Sequence, residues 1–485
     1  MIKLILHWMC QCFFMRGGSM NSDLLLNNPL RTEPIPKLLK KFTIPAIISM
    51  VINAIYNIVD QIFLGQLIGP DANAATTVAF PVFMLILALA VLFGVGSGIY
   101  ISTRLGEKNI EKALSAYRAT FSCVTITAII ITILGSIFIK PLVGMFGASN
   151  DIISASIQYT SVIILGTWAN MMIVVMDKIL RADNAPKQAM ICIVSGAILN
   201  TILDPIFIYL FNIRGAAIAT ILSQFITAIL MIHHMQTKGR LKIDFKNLFK
   251  LSIDDLKIVK GSMYIGISSF ILQIGGILTQ VVLNRSLVYY GDLTPEVGGT
   301  IALAAVGIVL KIYLIVTSIC VGIGIGFQPI ISFNNGAKLY SRVYEAYKRS
   351  AVFASIVTFI GWIVIQLFPG FIISIFDSDK GTFYNFGIHA IRIYMITTLI
   401  VGIQIVNVMY FQAIGKPLIS ATLSLIRQVF VLIPAIIILP MIFGLDGILY
   451  SGPLSDIIAF ISSILFIRYG IKELKFKISE ENEGF

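Results

Sequence analysis

Two aspartates stand in long apolar runs that hold no lysine or arginine: Asp60 in 42–67 and Asp204 in 188–212. An acid at the centre of a bilayer costs about 2.5–3.5 kcal/mol on insertion scales, so a carboxylate in such a run is a functional candidate by default. Neutral oxygen groups accompany both. Tyr56 lies one helical turn before Asp60 and Asn200 one turn before Asp204, with Asn53 and Asn57 extending the first polar stripe. Thr220 opens the next apolar run. Oxygen is the ligand that protons and hard monovalent cations such as sodium take, and oxygen alone does not separate the two. Two carboxylates in one desolvated pocket cannot both carry charge at low cost, so the pair is fitted to bind and release a cation. A structural network of Asp60 with Asn57 and Asn200 is the competing reading.

A second set of charges lies in the other half of the chain: Lys311, Arg427 and Asp456, each inside an apolar run. A buried base needs a partner, and Asp456 is expected to pair with Arg427 or Lys311 as a structural clamp. The sharper version leaves one base facing a cavity, where it discourages cations. Asp177 beside Lys178 and Arg181 reads as an interfacial salt bridge. Met171, Met172 and Met176 offer adaptable thioethers to a cavity, although ordinary packing explains any one of them. Cys10, Cys12, Cys123, Cys192 and Cys320 make no disulfide framework, and His7, His233, His234 and His389 have no ligand spacing. No cofactor is expected, and no metal beyond a possible sodium ion.

The elements that carry these groups follow from composition. Of 485 residues, 57% are hydrophobic and only 12% charged, which a water-soluble surface cannot match. Twelve runs are long enough to cross about 30 Å of hydrocarbon as helices. They fall near 42–67, 76–103, 119–139, 155–177, 188–212, 215–236, 261–285, 300–333, 350–372, 388–412, 417–443 and 446–467. At 1.5 Å per residue, Asp60 and Asp204 are roughly 27 and 26 Å from the inner ends of their spans, and Thr220 about 8 Å below an outer end. All three share a layer. Lys311, Arg427 and Asp456 lie about 15–17 Å deep, near the midplane.

The net charge of +12 would point to nucleic acid in a soluble protein, but 29 of the 36 bases fall in segments on one side of the predicted spans and five on the other. That asymmetry orients a multi-pass membrane protein with both termini cytoplasmic and needs no nucleic-acid partner. The reading divides the chain into a cytoplasmic segment 1–41, a six-helix bundle 42–236, a linker 237–260, a second bundle 261–467 and a tail 468–485. The linker alternates Leu, Ile and Phe with lysines, which predicts an amphipathic segment in the lipid interface. Residues 1–20 look superficially like a signal peptide without its cleavage site, and translation is expected to begin at Met20.

The second bundle repeats the first. Gly94-Val95-Gly96-Ser97-Gly98 running to Arg104-Leu105-Gly106-Glu107-Lys108 matches Gly322-Ile323-Gly324-Ile325-Gly326 running to Asn335-Gly336-Ala337-Lys338. Arg181-Ala182-Asp183-Asn184-Ala185-Pro186 matches Gln412-Ala413-Ile414-Gly415-Lys416-Pro417, and Arg214-Gly215 matches Asp446-Gly447. An offset of six spans gives both halves one orientation, so the expected fold is all-α and integral to the membrane, with two six-helix repeats around a central cavity.

Several of these stretches are specific. Tyr56-Asn57-Ile58-Val59-Asp60-Gln61-Ile62-Phe63-Leu64-Gly65, the run from Arg181 to Pro186, Leu199-Asn200-Thr201-Ile202-Leu203-Asp204-Pro205, Gly215-Ala216-Ala217-Ile218-Ala219-Thr220 and Gln328-Pro329-Ile330-Ile331-Ser332-Phe333-Asn334-Asn335-Gly336 resemble the multidrug and toxic compound extrusion (MATE) family over about 36–470. The resemblance implies a cation-coupled antiporter that exports drugs or other small organic compounds across the bacterial plasma membrane by alternating access. It also implies the branch with its acidic site in the N-terminal half. The other bacterial branch has an acid in the seventh span. Here 261–284 holds none, and the counterpart of Asp60 falls near Thr279 and Gln280. A monomer is expected. Two alternatives compete: a flippase for lipid-linked precursors, which needs a strongly basic cavity, and a membrane acyltransferase, which needs a His/Asp set that His233-His234 lacks.

Overall fold

The computed structural model describes residues 28–146, 152–376 and 381–483, without the side chains of 70, 71, 73, 74, 482 and 483. The expected start at Met20 lies outside the described residues. Helices account for almost everything else, because a backbone crossing hydrocarbon must satisfy its own hydrogen bonds.

In chain order the first half is built from α1 (Pro29–Thr32), α2 (Ile35–Leu67), α3 (Pro70–Gly106), α4 (Ile110–Ile137), α5 (Ile139–Met145), α6 (Ile153–Leu165), α7 (Thr167–Ala182), α8 (Pro186–Phe211) and α9 (Ile213–Lys238). The second comprises α10 (Ile253–Asp292), α11 (Gly299–Gly336), α12 (Tyr340–Leu367), α13 (Pro369–Ser374), α14 (Thr382–Tyr394), α15 (Thr398–Ala413), α16 (Pro417–Leu425), a π-helical stretch (Ile426–Leu432), α17 (Ile433–Phe443) and α18 (Leu445–Glu483). Ten described helices are long and apolar enough to cross a membrane. The pairs α6–α7 and α14–α15, each bent by 49°, bring the total to twelve spans. Proline at the first turn starts α3, α8, α13 and α16, where its missing N–H costs nothing.

The repeat is visible in the backbone itself. The described residues with positive φ fall into corresponding pairs: Gly69 and Gly298, Lys108 and Lys338, Asn184 and Gly415, Asn212 and Gly444. Side-chain types differ within two of these pairs, yet each turn is kept.

Many helices outrun the spans read from the sequence. α2 begins at Ile35, α10 at Ile253 and α18 runs on to Glu483, because hydropathy marks the crossing and not the end of the helix. The linker divides its apolar side chains, leaving Phe245 and Phe249 exposed while others turn to the protein. After α9 it runs extended, burying Leu241, Ile243 and Leu248 in the protein core before a short 3-10 turn at Phe245–Asn247. Ser252 and Asp255 then form a capping box that starts α10.

The largest apolar cluster joins both halves, uniting Phe42, Phe93 and Ile101 with Ile323, Phe327 and Ile330. It lies toward the face where Leu30 and Glu481 both contact the α11–α12 region, hereafter the terminal face. Toward the opposite face the core splits into one cluster per half, around Leu64 and Ile208 in the first and around Val309 and Ile448 in the second. Glycines seal the shared end. A methyl on Gly106 would lie 2.0 Å from the Phe333 carbonyl oxygen, and one on Gly336 would lie 2.2 Å from that of Thr103. Gly96 against Ser262 and Gly266 against Leu92 repeat the arrangement, at 1.9 Å each. The stripes that meet there emerge farther out with Leu85, Gln280 and Ile315 exposed, so the halves part toward the opposite face.

Met171, Met172 and Met176 are fully buried in the shared core. They are packing residues and do not line a cavity.

Candidate functional site

The two intramembrane aspartates of the first half converge. Asp204 is completely buried on α8, and its Oδ1 accepts a hydrogen bond from Asn200 Nδ2 at 2.9 Å. Asn200 Nδ2 also reaches Thr220 Oγ1 on α9 at 3.4 Å, so the i,i+4 spacing on one helix and the depth of the next bring these three groups together. Asp60 approaches from α2, its carboxyl against that of Asp204 and close enough for one proton to bridge them. Pro205 follows Asp204 inside α8 and cannot donate to the Thr201 carbonyl, which frees a further backbone oxygen one turn away.

Asp60 Oδ1, Asp204 Oδ2 and Asn200 Oδ1 are buried and receive no hydrogen bond among the described residues. Buried acceptors without donors are costly, and three in one pocket need a proton or a cation. Tyr56 flanks both carboxylates.

One neighbour escaped the sequence reading. Tyr159 on α6 also faces Asp60, Tyr56 and Asp204. Its signal was depth, since it lies four residues into its predicted span, about 6 Å from the end remote from the terminal face and level with Thr220. Asn53 and Asn57 are not brought to the pair. Both are exposed, and Asn57 Nδ2 donates to the Asn53 carbonyl at 2.6 Å. A network of Asp60 with Asn57 is therefore not what the fold builds.

The second half handles its intramembrane acid differently. Asp456 on α18 accepts from Arg427 Nε at 3.0 Å and from Thr397 Oγ1 at 3.0 Å, while Gln404 donates to its backbone carbonyl. Arg427 sits in the π-helical stretch and donates also to the Tyr313 hydroxyl; Ser455 Oγ donates to its carbonyl at 3.1 Å. Every charge in this cluster has a partner. Lys311 does not join it: Tyr313 is two residues on, about 200° round α11, and Lys311 has no ion-pair or hydrogen-bond partner among the described residues.

Near the terminal face Asp177 binds Arg181 Nε at 2.8 Å and Lys178 Nζ at 2.9 Å, all three largely buried. The halves are also tied there by side chains. Arg118 on α4 meets Asp255 at 2.7 Å, and Arg342 on α12 donates to the carbonyls of Leu30 and Glu33 at 3.1 and 2.7 Å.

Comparison with known proteins bears on this arrangement. The family model MatE matches residues 45–206 and 291–437. The multidrug export protein MepA of Staphylococcus aureus strain MRSA252 is 26% identical over 457 residues, covering 93% of this chain and 98% of that protein. Its counterpart in Staphylococcus haemolyticus is 26% identical over 445 residues, covering 90% and 94%. Among solved structures, MATE in complex with MaL6 superposes with a TM-score of 0.85 at 25% identity, covering 92% of this chain and 98% of that one. An outward-facing multidrug resistance MATE transporter of the MOP superfamily superposes at 0.83, also with 25% identity, over 94% and 100%.

Proposed function

Because the chain belongs to the multidrug and toxic compound extrusion family of membrane transporters, we propose that it is an antiporter that exports small organic compounds in exchange for a proton or a sodium ion. It is a transporter and not an enzyme. The reading rests on the three unpartnered buried oxygens of Asp60, Asp204 and Asn200, which lie among neutral groups with no base paired to them among the described residues.

A cation reaching the pocket neutralises the Asp60–Asp204 pair. The helices that carry the pair, α2 and α8, then no longer hold two like charges apart and can repack. Repacking of the first half alters the space between the halves and releases a compound held there. Departure of the cation on the other side resets the pair. Bacterial plasma membrane, a cytoplasmic terminal face and a monomeric unit complete the proposal. Relatives named as multidrug exporters support the substrate class. The pairing of Arg427 with Asp456 leaves too few free bases for a lipid-phosphate flippase.

Proteoliposomes loaded with ethidium and other labelled organic cations, under an imposed proton or sodium gradient, test this. Gradient-driven movement that vanishes in Asp60→Asn and Asp204→Asn at normal protein levels is the expected result. Undiminished movement in both variants overturns it.

A further inference from the structure

Lys311 lies near the middle of its span and has no ion pair among the described residues, and its position says what it faces. On α11 it lies 11 residues, about three helical turns, from Gly322, which puts the two within about 20° of one face. Gly322 packs on Ile47 of α2, and Gly326 on Thr43, a backbone-close contact between the two halves. Three turns farther out the halves have parted, and that same face carries Lys311 into the gap. Two neighbours agree. Ile315 on this face is exposed, and a methyl on Gly307, one turn beyond Lys311, would meet nothing within 4 Å.

The antiparallel run of α2 against α11 sets Ile58 across the gap at the height of Lys311, each 11 residues from the Ile47–Gly322 contact. Within two residues of it, the acid is Asp60. Asp60 is turned about 140° from the Ile47 face, into its own half beside Asp204. On α10, Gln280 and Asn284 lie five full turns outward from Ser262 and Gly266, the residues that touch α3, and so they line the same gap. They bond to each other at 2.8 Å and carry no charge. Along these faces the wall of the gap that belongs to the second half is therefore apolar and amide-lined, with Lys311 as the charge near its middle.

We propose that Lys311 is a substrate-binding residue that holds an anionic group, such as a carboxylate, sulfonate or phosphate, so that compounds bearing such a group on an apolar body are among those transported. This rests on the transport reading above and names its substrate class. An ammonium in a gap walled by apolar helices gains far more from a fixed counter-anion than it would in open water, because screening there is weak. The same charge raises the energy of a bound cation. Selectivity by charge is thus written on the second half, while the coupling carboxylates sit in the first.

Binding is measured without any gradient, by fluorescence anisotropy of fluorescein and of ethidium with the protein in phosphatidylcholine nanodiscs. A failure of cation coupling then leaves this result standing. Lys311→Gln is expected to weaken fluorescein at least ~10-fold and to tighten ethidium ~3-fold, while Lys311→Arg restores the wild-type order. A misfolded variant would lose both dyes and is not rescued in this pattern. Absence of fluorescein binding to the wild type, or equal affinities in wild type and Lys311→Gln, overturns the proposal. Nanodiscs with half phosphatidylglycerol separate a soluble anion from a lipid headgroup. Fluorescein affinity is expected to hold there, and its loss would assign Lys311 to lipid phosphate. If Lys311→Gln abolishes gradient-driven movement of both dyes while fluorescein still binds, Lys311 serves Asp60 and not the substrate.

Discussion

The two halves share a backbone plan down to the residues at which their turns reverse, yet they treat a buried acid in opposite ways. In the first, Asp60 and Asp204 meet with no base between them and three oxygens lack donors. In the second, Asp456 is closed off by Arg427, Thr397 and Gln404, and Arg427 by Tyr313. One arrangement leaves its charges without a partner of opposite sign; in the other the acid and the base balance each other. A duplicated scaffold can therefore hold one half as a moving, ion-dependent part and the other as a fixed wall.

The largest effect that would break this contrast is functional. Asp60→Asn and Asp204→Asn should each abolish coupled export while melting temperatures stay close to wild type, since Asn keeps the shape but cannot exchange a proton or balance a cation. Transport at unchanged protein level is the measurement. The matching change in the second half should act on stability. Asp456→Asn leaves Arg427 buried without its counter-charge, a loss of about 3–5 kcal/mol. Asp456→Asn combined with Arg427→Gln should recover part of it in a thermal-melt cycle, and strictly additive losses would show that the pair is not a unit.

Smaller effects sharpen the comparison. Tyr56→Phe, Thr220→Ala, Asn200→Ala and Tyr159→Phe remove neutral groups around the carboxylates and should shift the cation concentration for half-maximal export several-fold without abolishing it. Smallest is a term outside the membrane. Burial pushes the Asp183 carboxyl up to about 7, against a backbone N–H of Arg240 that donates to it at 2.8 Å. The native state therefore keeps a proton that the unfolded chain releases near pH 4, and stability falls as pH rises from about 4 to 7. Asp183→Asn should flatten that slope. The corresponding position of the second half is Ile414, so no variant there should change it.

Much of this was legible in the sequence for a physical reason. Span count, the repeat and the depth of each intramembrane charge depend only on hydropathy and a fixed rise per residue, and so Asp60, Asp204 and Thr220 could be set in one layer from numbers alone. Azimuth was harder. Asn57 shares a helix stripe with Asp60, but which side of the stripe turns to the protein interior depends on neighbours far away in sequence, and Asn57 turns out. The same ignorance of azimuth grouped Lys311 with Arg427 and Asp456 by depth, when a 200° rotation separates it from Tyr313 and the pair. Tyr159 was hidden because a tyrosine in an apolar span has no unusual cost. The linker's alternation fits either a lipid surface or a protein groove, and only the presence of Leu241, Ile243 and Leu248 in the shared core assigns those three to the groove.

The glycine seam at the terminal face has a consequence for how sequence change acts on the molecule. Gly106 and Gly336 abut each other's helix with no side chain between, as do Gly96 and Gly266. A single added methyl at any of them is a wedge between the halves. It touches no ligand and removes no bond within either bundle. If the halves rock as proposed, its strain falls on the form closed at the terminal face, and alanine at these positions would act as a permanent effector, moving the resting population toward the form open there by as much as that strain differs between the two forms.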